Sequence, residues 1–355
     1  MKTYINGLSN ISPQNTFGDE EGLWTNVEYQ QENLLQCRHP DYKQYFKPLQ
    51  LRRMSKIIRM GLTTAMDCLK KSNVQNPGAI VVGTGLGCMA DTEKFLHTVL
   101  DRNEQMLNPS PFIFSTHNTI AAQIAITLKC HSYNATYSNN GFSFENALHD
   151  GLMLLGDRTV NNVLVGGIDE CTEEFFSIRG KTGMWKEKSI KDGLLYEDTT
   201  PGTIAGEGSA FFMLDSKASP TTYAVLNDFS MLYDPDQPES VSKALNNFLI
   251  KNGLSKDELD LLIVGNNGDP VGDIYYDQLQ DGLLKDIDSV RYKHLCGEYY
   301  TSGAFALWLA SMIIKKNVVP SEIEKDNQYH RSLRKVLIYN HYGGKYHAFY
   351  LLTDV

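Results

Sequence analysis

Three short apolar runs, each broken off by glycines, set narrow limits on what this chain can fold into. "AIVVGTGLG" begins at Ala79, "VNNVLVGGIDE" at Val160 and "LDLLIVGNNGD" at Leu259. Unalternating apolar runs of this length are the pattern of strands buried on both faces. Helical patterns lie between them. From Leu51 to Leu69, Met54, Ile57, Ile58, Leu62, Ala65, Met66 and Leu69 recur at the spacing of one amphipathic helix. A second helix carries Phe95, Leu96 and Val99; "NTIAAQIAITL" from Asn118 and "SGAFALWLASMII" from Ser302 read as buried helices. Strands interleaved with helices predict an α/β protein with a largely buried sheet.

The ingredients occur twice. "GEGSAFFMLD" closes the first set at Asp215; after Pro220 come a strand, an apolar helix and the terminal runs "KVLIYN" and "HAFYLL". This predicts an internal duplication, with halves at residues 1–220 and 221–355 forming one compact unit, although no strict sequence repeat relates them. The long polar interruption from Lys186 to Gly208 is expected to be a surface excursion near a functional site.

Composition excludes several classes. With 355 residues, 42% of them hydrophobic, the chain can bury one large core or two modest ones. A net charge of −9 argues against a nucleic-acid partner, because phosphate neutralisation needs clustered Lys and Arg. No window approaches ~18 uninterrupted apolar residues, and "MKTYINGLSN" lacks an apolar signal core and a cleavage site. A cytoplasmic protein with no membrane span is expected. The six cysteines are scattered without a CxxC pair, which fits reduced thiols and gives no metal site. "GTGLG" at Gly83 lacks the third glycine and downstream acid of a dinucleotide site, and "GNNGDPVGD" at Gly265 lacks the glutamate of a calcium loop. Both read as structural turns. No HExxH or GxSxG occurs, and no cofactor is expected.

"NATYSNNGFSFENAL", from Asn134, reads as a strand end, a glycine turn and an amphipathic helix, with Ser138 at the tip. In chain order, the landmarks resemble the β-ketoacyl synthase family of condensing enzymes. "RRMSKIIRM" is similar to the family's early helix, "NTIAAQIAI" to the helix before the nucleophile, and "NATYSNNGFSFENAL" to the nucleophile elbow. "VLVGGIDE" and "TPGTIAGEGSAFFML" resemble the strands that follow, "GNNGDPVGD" the HGTGTxxGD loop, "KHLCGEYYTSGAFAL" the KSxxGH segment and "NHYGG" the GFGG turn. The resemblance implies a thiolase-like fold, layered αβαβα, with two pseudo-duplicated halves.

It also implies a chemistry. Active members use a cysteine thiolate at a helix N-terminus to accept an acyl group, and two histidines to assist decarboxylation of a malonyl group. Here Ser138 stands at the cysteine position, with Thr136 and Gly141 in register. Gly265 takes the place of the first histidine, with Gly268, Pro270, Gly272 and Asp273 kept; Glu298 takes that of the second, with Lys293 and Gly297 kept. Glycine donates nothing, and a carboxylate would repel an enolate. The expectation is therefore a chain-length-factor-like subunit, non-catalytic by itself. It would pair with an active ketosynthase, or with itself, in fatty-acid, polyketide or aryl-polyene-type synthesis; family members dimerise by joining sheets edge to edge.

One alternative keeps Ser138 as the nucleophile of an acyltransferase or 3-oxoacyl-acyl carrier protein synthase, with His294 or His341 entering the pocket. Another is a carrier-binding module whose Arg52, Arg53, Lys56 and Arg59, sharing one side of the Leu51 helix, meet an acidic acyl carrier protein.

Overall fold

The computed structural model describes residues 2–18, 21–29, 32–190, 194–320, 323 and 332–355; His330 and residues 191–193 of the Lys186–Gly208 loop lie outside them. Ten strands form one hydrogen-bonded sheet: β1 (Thr3–Ile11), β2 (Ala79–Gly83), β3 (Tyr133–Tyr137), β4 (Asn162–Asp169), β5 (Gly208–Asp215), β6 (Ala224–Tyr233), β7 (Leu261–Val264), β8 (Ser289–Arg291), β9 (Lys335–Tyr342) and β10 (Tyr346–Thr353). Their spatial order is β3-β2-β4-β5-β1-β6-β10-β9-β7-β8. Read inward from either end, each five-stranded leaf runs third, second, fourth, fifth, first. In both leaves the second strand is parallel to its neighbours, and the fifth is antiparallel to the fourth and first.

Only the pairs Thr3↔Leu226, Tyr4↔Val225 and Ile5↔Ala224 join β1 to β6. Beyond them the leaves part and stack around two helices, α4 (Ser143–Gly156) and α7 (Ser302–Lys316). The central core holds Phe144, Leu148, Phe305 and Leu309 from these helices, Val81 and Val165 from the first leaf, and Ile263 and Ile338 from the second. Alternate strand residues face outward. Ile80, Val82 and Leu164 pack under α1 (Lys56–Ser72) and α3 (Thr119–Leu128); α2 (Met89–Asp101) lies between those two in sequence. Leu262, Val264 and Leu337 pack under α5 (Pro238–Lys251) and α6 (Pro270–Asp281). The layers are αβαβα, as the resemblance implies.

Every residue of α7 from Ser302 to Ile314 is buried, which is what a helix apolar all round requires. The two central helices meet β4 at Gly167, where a Cβ would lie 2.7 Å from Ala304 Cβ and 2.8 Å from Phe144 Cδ2. Glycine is needed there for space.

The structure corrects three expectations. The helix expected from Leu51 begins at Lys56; Pro48–Leu51 is a separate turn, and Ser55 is extended between the two. Helix α3 is buried on one side only, with Ile126 66% exposed. The Lys186–Gly208 segment turns inward: Ile190, Leu195 and Ile204 are buried, and the buried Lys186 Nζ bonds Asp198 Oδ1 at 3.0 Å and the carbonyls of Thr200 and Gly268 at 2.7 and 3.0 Å. No described helix is long and apolar enough to cross a membrane.

Phe144 is fully buried between the leaves, 5.9 Å from the Phe212 ring. Phe144→Ala is expected to cost about 3–5 kcal/mol, measured by urea denaturation at neutral pH.

Candidate active site

The ends of β2, β3, β4 and β7 and the start of α7 assemble one region. Asp169, the last residue of β4, accepts hydrogen bonds at Oδ1 from Thr84 Oγ1 and the amides of Gly85 and Leu86, at 3.1, 2.8 and 3.0 Å. Its Oδ2 accepts from Thr301 N and Oγ1 at 3.0 and 2.9 Å. Burial pushes the carboxyl up to about 6, with these donors opposing the rise. The "GTGLG" turn is thus a structural clasp between β2 and α7.

Ser138 lies exposed at the tip of the elbow after β3. Among the described residues its one hydrogen bond is donated to the Gly85 carbonyl, at 3.5 Å. A one-turn segment, Asn140–Phe142, precedes α4, and Asn140 is left-handed at φ 45°.

Gly265, at the end of β7, has no room for a side chain. A Cβ there would strike Asn340 Oδ1 and lie 2.7 Å from Tyr276 Oη. Asn340 Oδ1 already accepts from the Tyr292 hydroxyl at 2.8 Å. The space beside Gly265, expected to match the first histidine position, is therefore taken by other side chains.

Glu298 is buried and paired. Lys293 Nζ, itself inaccessible, lies 2.6 Å from Glu298 Oε1 and 2.6 Å from Ser302 Oγ, while Asn267 Nδ2 donates to Glu298 Oε2 at 2.9 Å. The carboxylate expected to repel an enolate is neutralised by its neighbour. The backbone is fixed as well, since Glu298 N donates to Ile204 O and Gly206 N to Glu298 O.

Between the elbow and Glu298 sit two aromatic rings. Tyr300 fills the space in front of Gly85, Tyr342 packs on Gly141, and their rings are 4.6 Å apart. The cavity left beside Glu298, Tyr299, Tyr300 and Tyr342 is about 10 Å³, room for about one water. A wider cleft of about 810 Å³ lies between Glu32–Gln36 and the helix Glu173–Gly180 and includes none of the three positions.

Neither candidate histidine reaches Ser138. His294 is bonded through Nδ1 to the Tyr196 hydroxyl at 3.1 Å, and burial pushes it down to about 4. His341 donates from Nε2 to Gly272 O at 2.9 Å, accepts from Gly344 N at Nδ1, and stacks on Tyr276 with rings 4.4 Å apart. Burial holds it well below the ordinary histidine range. Both are neutral structural groups.

Of the four basic residues, only Arg52 and Arg53 are exposed. Arg59 reaches back to the Leu51 carbonyl at 2.8 Å. Lys56 turns inward to Glu207 Oε2 at 2.6 Å, and Glu207 is wholly buried, also accepting from the amides of Cys37 and Cys171. Helical spacing missed this because the helix starts only at Lys56; the signal available was the acid within "GEG".

Residues 24–189 match the family model described as the N-terminal domain of β-ketoacyl synthases. Over those residues the chain is similar to β-ketoacyl synthases. No curated protein matches it by sequence. Among solved structures, the ishigamide ketosynthase/chain length factor superposes with a TM-score of 0.80 at 16% identity, covering 100% of this chain and 99% of the other. A type II polyketide acyl-carrier protein in complex with its hexaketide-bound ketosynthase, AntDE:AntF, gives 0.80 at 12%, covering 100% and 99%. The Xenorhabdus doucetiae ketosynthase ApeO in complex with its chain length factor ApeC gives 0.76 at 14%, covering 99% and 98%. At these identities the likeness establishes the thiolase-like fold of the ketosynthase-like chain.

Lys56→Met would leave Glu207 buried without its cation. A loss of about 3–5 kcal/mol is expected, read by chemical denaturation, whereas charge reversal at Arg52 or Arg53 should leave stability within about 0.5 kcal/mol.

Proposed function

We propose that this chain is a chain-length-factor-like subunit, non-catalytic by itself, that pairs with an active ketosynthase in fatty-acid, polyketide or aryl-polyene-type synthesis. The carrying observation is the state of the three positions where a condensing enzyme needs its nucleophile and two donors. One holds a serine with no base, one a glycine whose space is taken, and one a glutamate locked to a lysine. A hydroxyl is not appreciably ionised at neutral pH and needs a base within hydrogen-bond reach. The solved relatives include ketosynthases paired with chain length factors, which supports the assignment of partner. A cytoplasmic location accords with that role, as does a duplication dividing between β5 and β6.

An open sheet edge supports this reading. Strand β3 ends the sheet and is paired on one side only; Tyr133 and Asn134 are exposed on it. It is flanked by α3 and α4, which expose Ile126 and Met153, with Phe112 and Ile113 also exposed nearby in sequence. The opposite edge, β8, is three residues long with Val290 buried. An open edge beside apolar side chains is a template for another strand. Arg52 and Arg53, beside the exposed Leu49, are the residues left to meet an acidic carrier protein.

Mass spectrometry of the purified chain with acyl- and malonyl-loaded carrier protein is expected to give no adduct at Ser138 and no carbon dioxide, with activity appearing only alongside a co-expressed ketosynthase. An acyl group on Ser138 would instead establish a serine acyltransferase. Ile126→Asp is expected to leave the fold intact and abolish co-purification of that ketosynthase.

A further inference from the structure

Glu145 lies in the first turn of α4, directly behind the elbow, and is 1% exposed. Its Oε1 accepts from the Tyr350 hydroxyl of β10 at 2.6 Å, while its buried Oε2 has no hydrogen-bond partner. The carboxyl fits against α7 only because residue 303 is glycine: a Cβ there would sit 2.6 Å from Oε1 and 2.8 Å from Tyr350 Oη. A carboxyl group is thus clamped among three elements of the central layer with one oxygen unsolvated. Placing a charge there is costly, and protonation removes that cost.

We propose that Glu145 is a proton-operated strut: neutral, it holds the elbow helix against β10 and α7; ionised, it loosens that contact. The other titratable groups of the surrounding elements have partners of their own or lie away from it. Lys293 is held by Glu298 and Ser302, and Asp169 of β4 by Thr84, Thr301 and backbone amides. Tyr133 of β3 is exposed, Tyr137 is half-buried against the central core, and on α4 itself His149 is exposed beside Phe229.

Burial pushes the carboxyl up to about 7, with the Tyr350 hydroxyl, the residue's own backbone amide and, least, Lys293 opposing the rise. Its folded value therefore lies above the unfolded value of ~4.3. Stability from the neutral form is fully present below ~4.3 and is lost as pH rises through about 7. Asp169 and Asp273, both pushed up to about 6, and Glu170, to about 7, act in the same direction. His294 and His347, pushed down to about 4, act oppositely below ~6.5. Only a comparison between variants isolates Glu145.

The test is denaturant unfolding of wild type, Glu145→Gln and Tyr350→Phe from pH 5 to 8.5, which reads stability alone and is independent of any partner or acyl transfer. Glu145→Gln keeps an acceptor for Tyr350 without a charge. Relative to wild type its unfolding constant is expected to fall by up to roughly tenfold per pH unit between pH 5 and 7, so that its advantage grows toward alkaline pH. Tyr350→Phe, which removes a donor to the carboxylate, should steepen the wild-type slope. Hydrogen exchange of amides 143–148, corrected for intrinsic rate, should accelerate from pH 6 to 8 in wild type and not in Glu145→Gln. A Glu145→Gln difference independent of pH, or exchange at those amides that is equally pH-dependent in both proteins, would overturn the proposal. If Glu145→Gln does not fold, an unchanged slope in Tyr350→Phe would do so.

Discussion

Burial of α7 on every side is the constraint on which the rest of the structure depends. A helix with no solvent-facing stripe must be enclosed, and here two leaves of sheet do it, each contributing the inward half of its alternating strands. The outward halves then need helices of their own, which gives five layers. Polar groups that enter the central layer must be paired or neutral. Lys293 with Glu298 satisfies the first condition, and Glu145 is held to the second.

The same enclosure accounts for the state of the site. Tyr276 and Asn340, the latter held by the Tyr292 hydroxyl, fill the space a side chain at Gly265 would need, and Tyr300 and Tyr342 fill that between the elbow and Glu298. A reactive centre needs unpaired groups converging on open space. Here the groups are paired and the space is occupied by aromatic rings. Open space lies at the periphery, in the cleft beside the helix Glu173–Gly180 and along the edge strand β3 with its flanking apolar residues.

Much of the fold could be read from the order of residues. β2, β4, β5 and β7 are apolar runs whose burial needs no information beyond their own composition. β1 and β6, the strands that join the leaves, are not legible in that way. "TYINGLSNI" and "AVLNDFSMLY" carry Asn6, Ser9, Asn227 and Asp228, polar residues that suit a strand only because distant partners satisfy them. Asn6 Nδ2 donates to Lys217 O and its Oδ1 accepts from Thr222, while Ser9 donates to Asp67. Helix α6 begins at Pro270, inside the "GNNGDPVGD" stretch expected to be a turn, and α5 has Val241, Leu245, Phe248 and Leu249 at helical spacing.

For the site, the sequence proposes the three changed positions, Ser138, Gly265 and Glu298, by resemblance, through their spacing to Gly141, Gly268, Pro270, Lys293 and Gly297. It could not say what those positions touch. That Lys56 belongs to Glu207 rather than to a surface patch, that Lys186 turns inward, and that Asn340 takes the space beside Gly265 were decided by tertiary structure. Glu207 lies 151 residues from Lys56, Gly268 82 from Lys186 and Asn340 75 from Gly265, and such pairings depend on how layers stack, which local pattern does not encode.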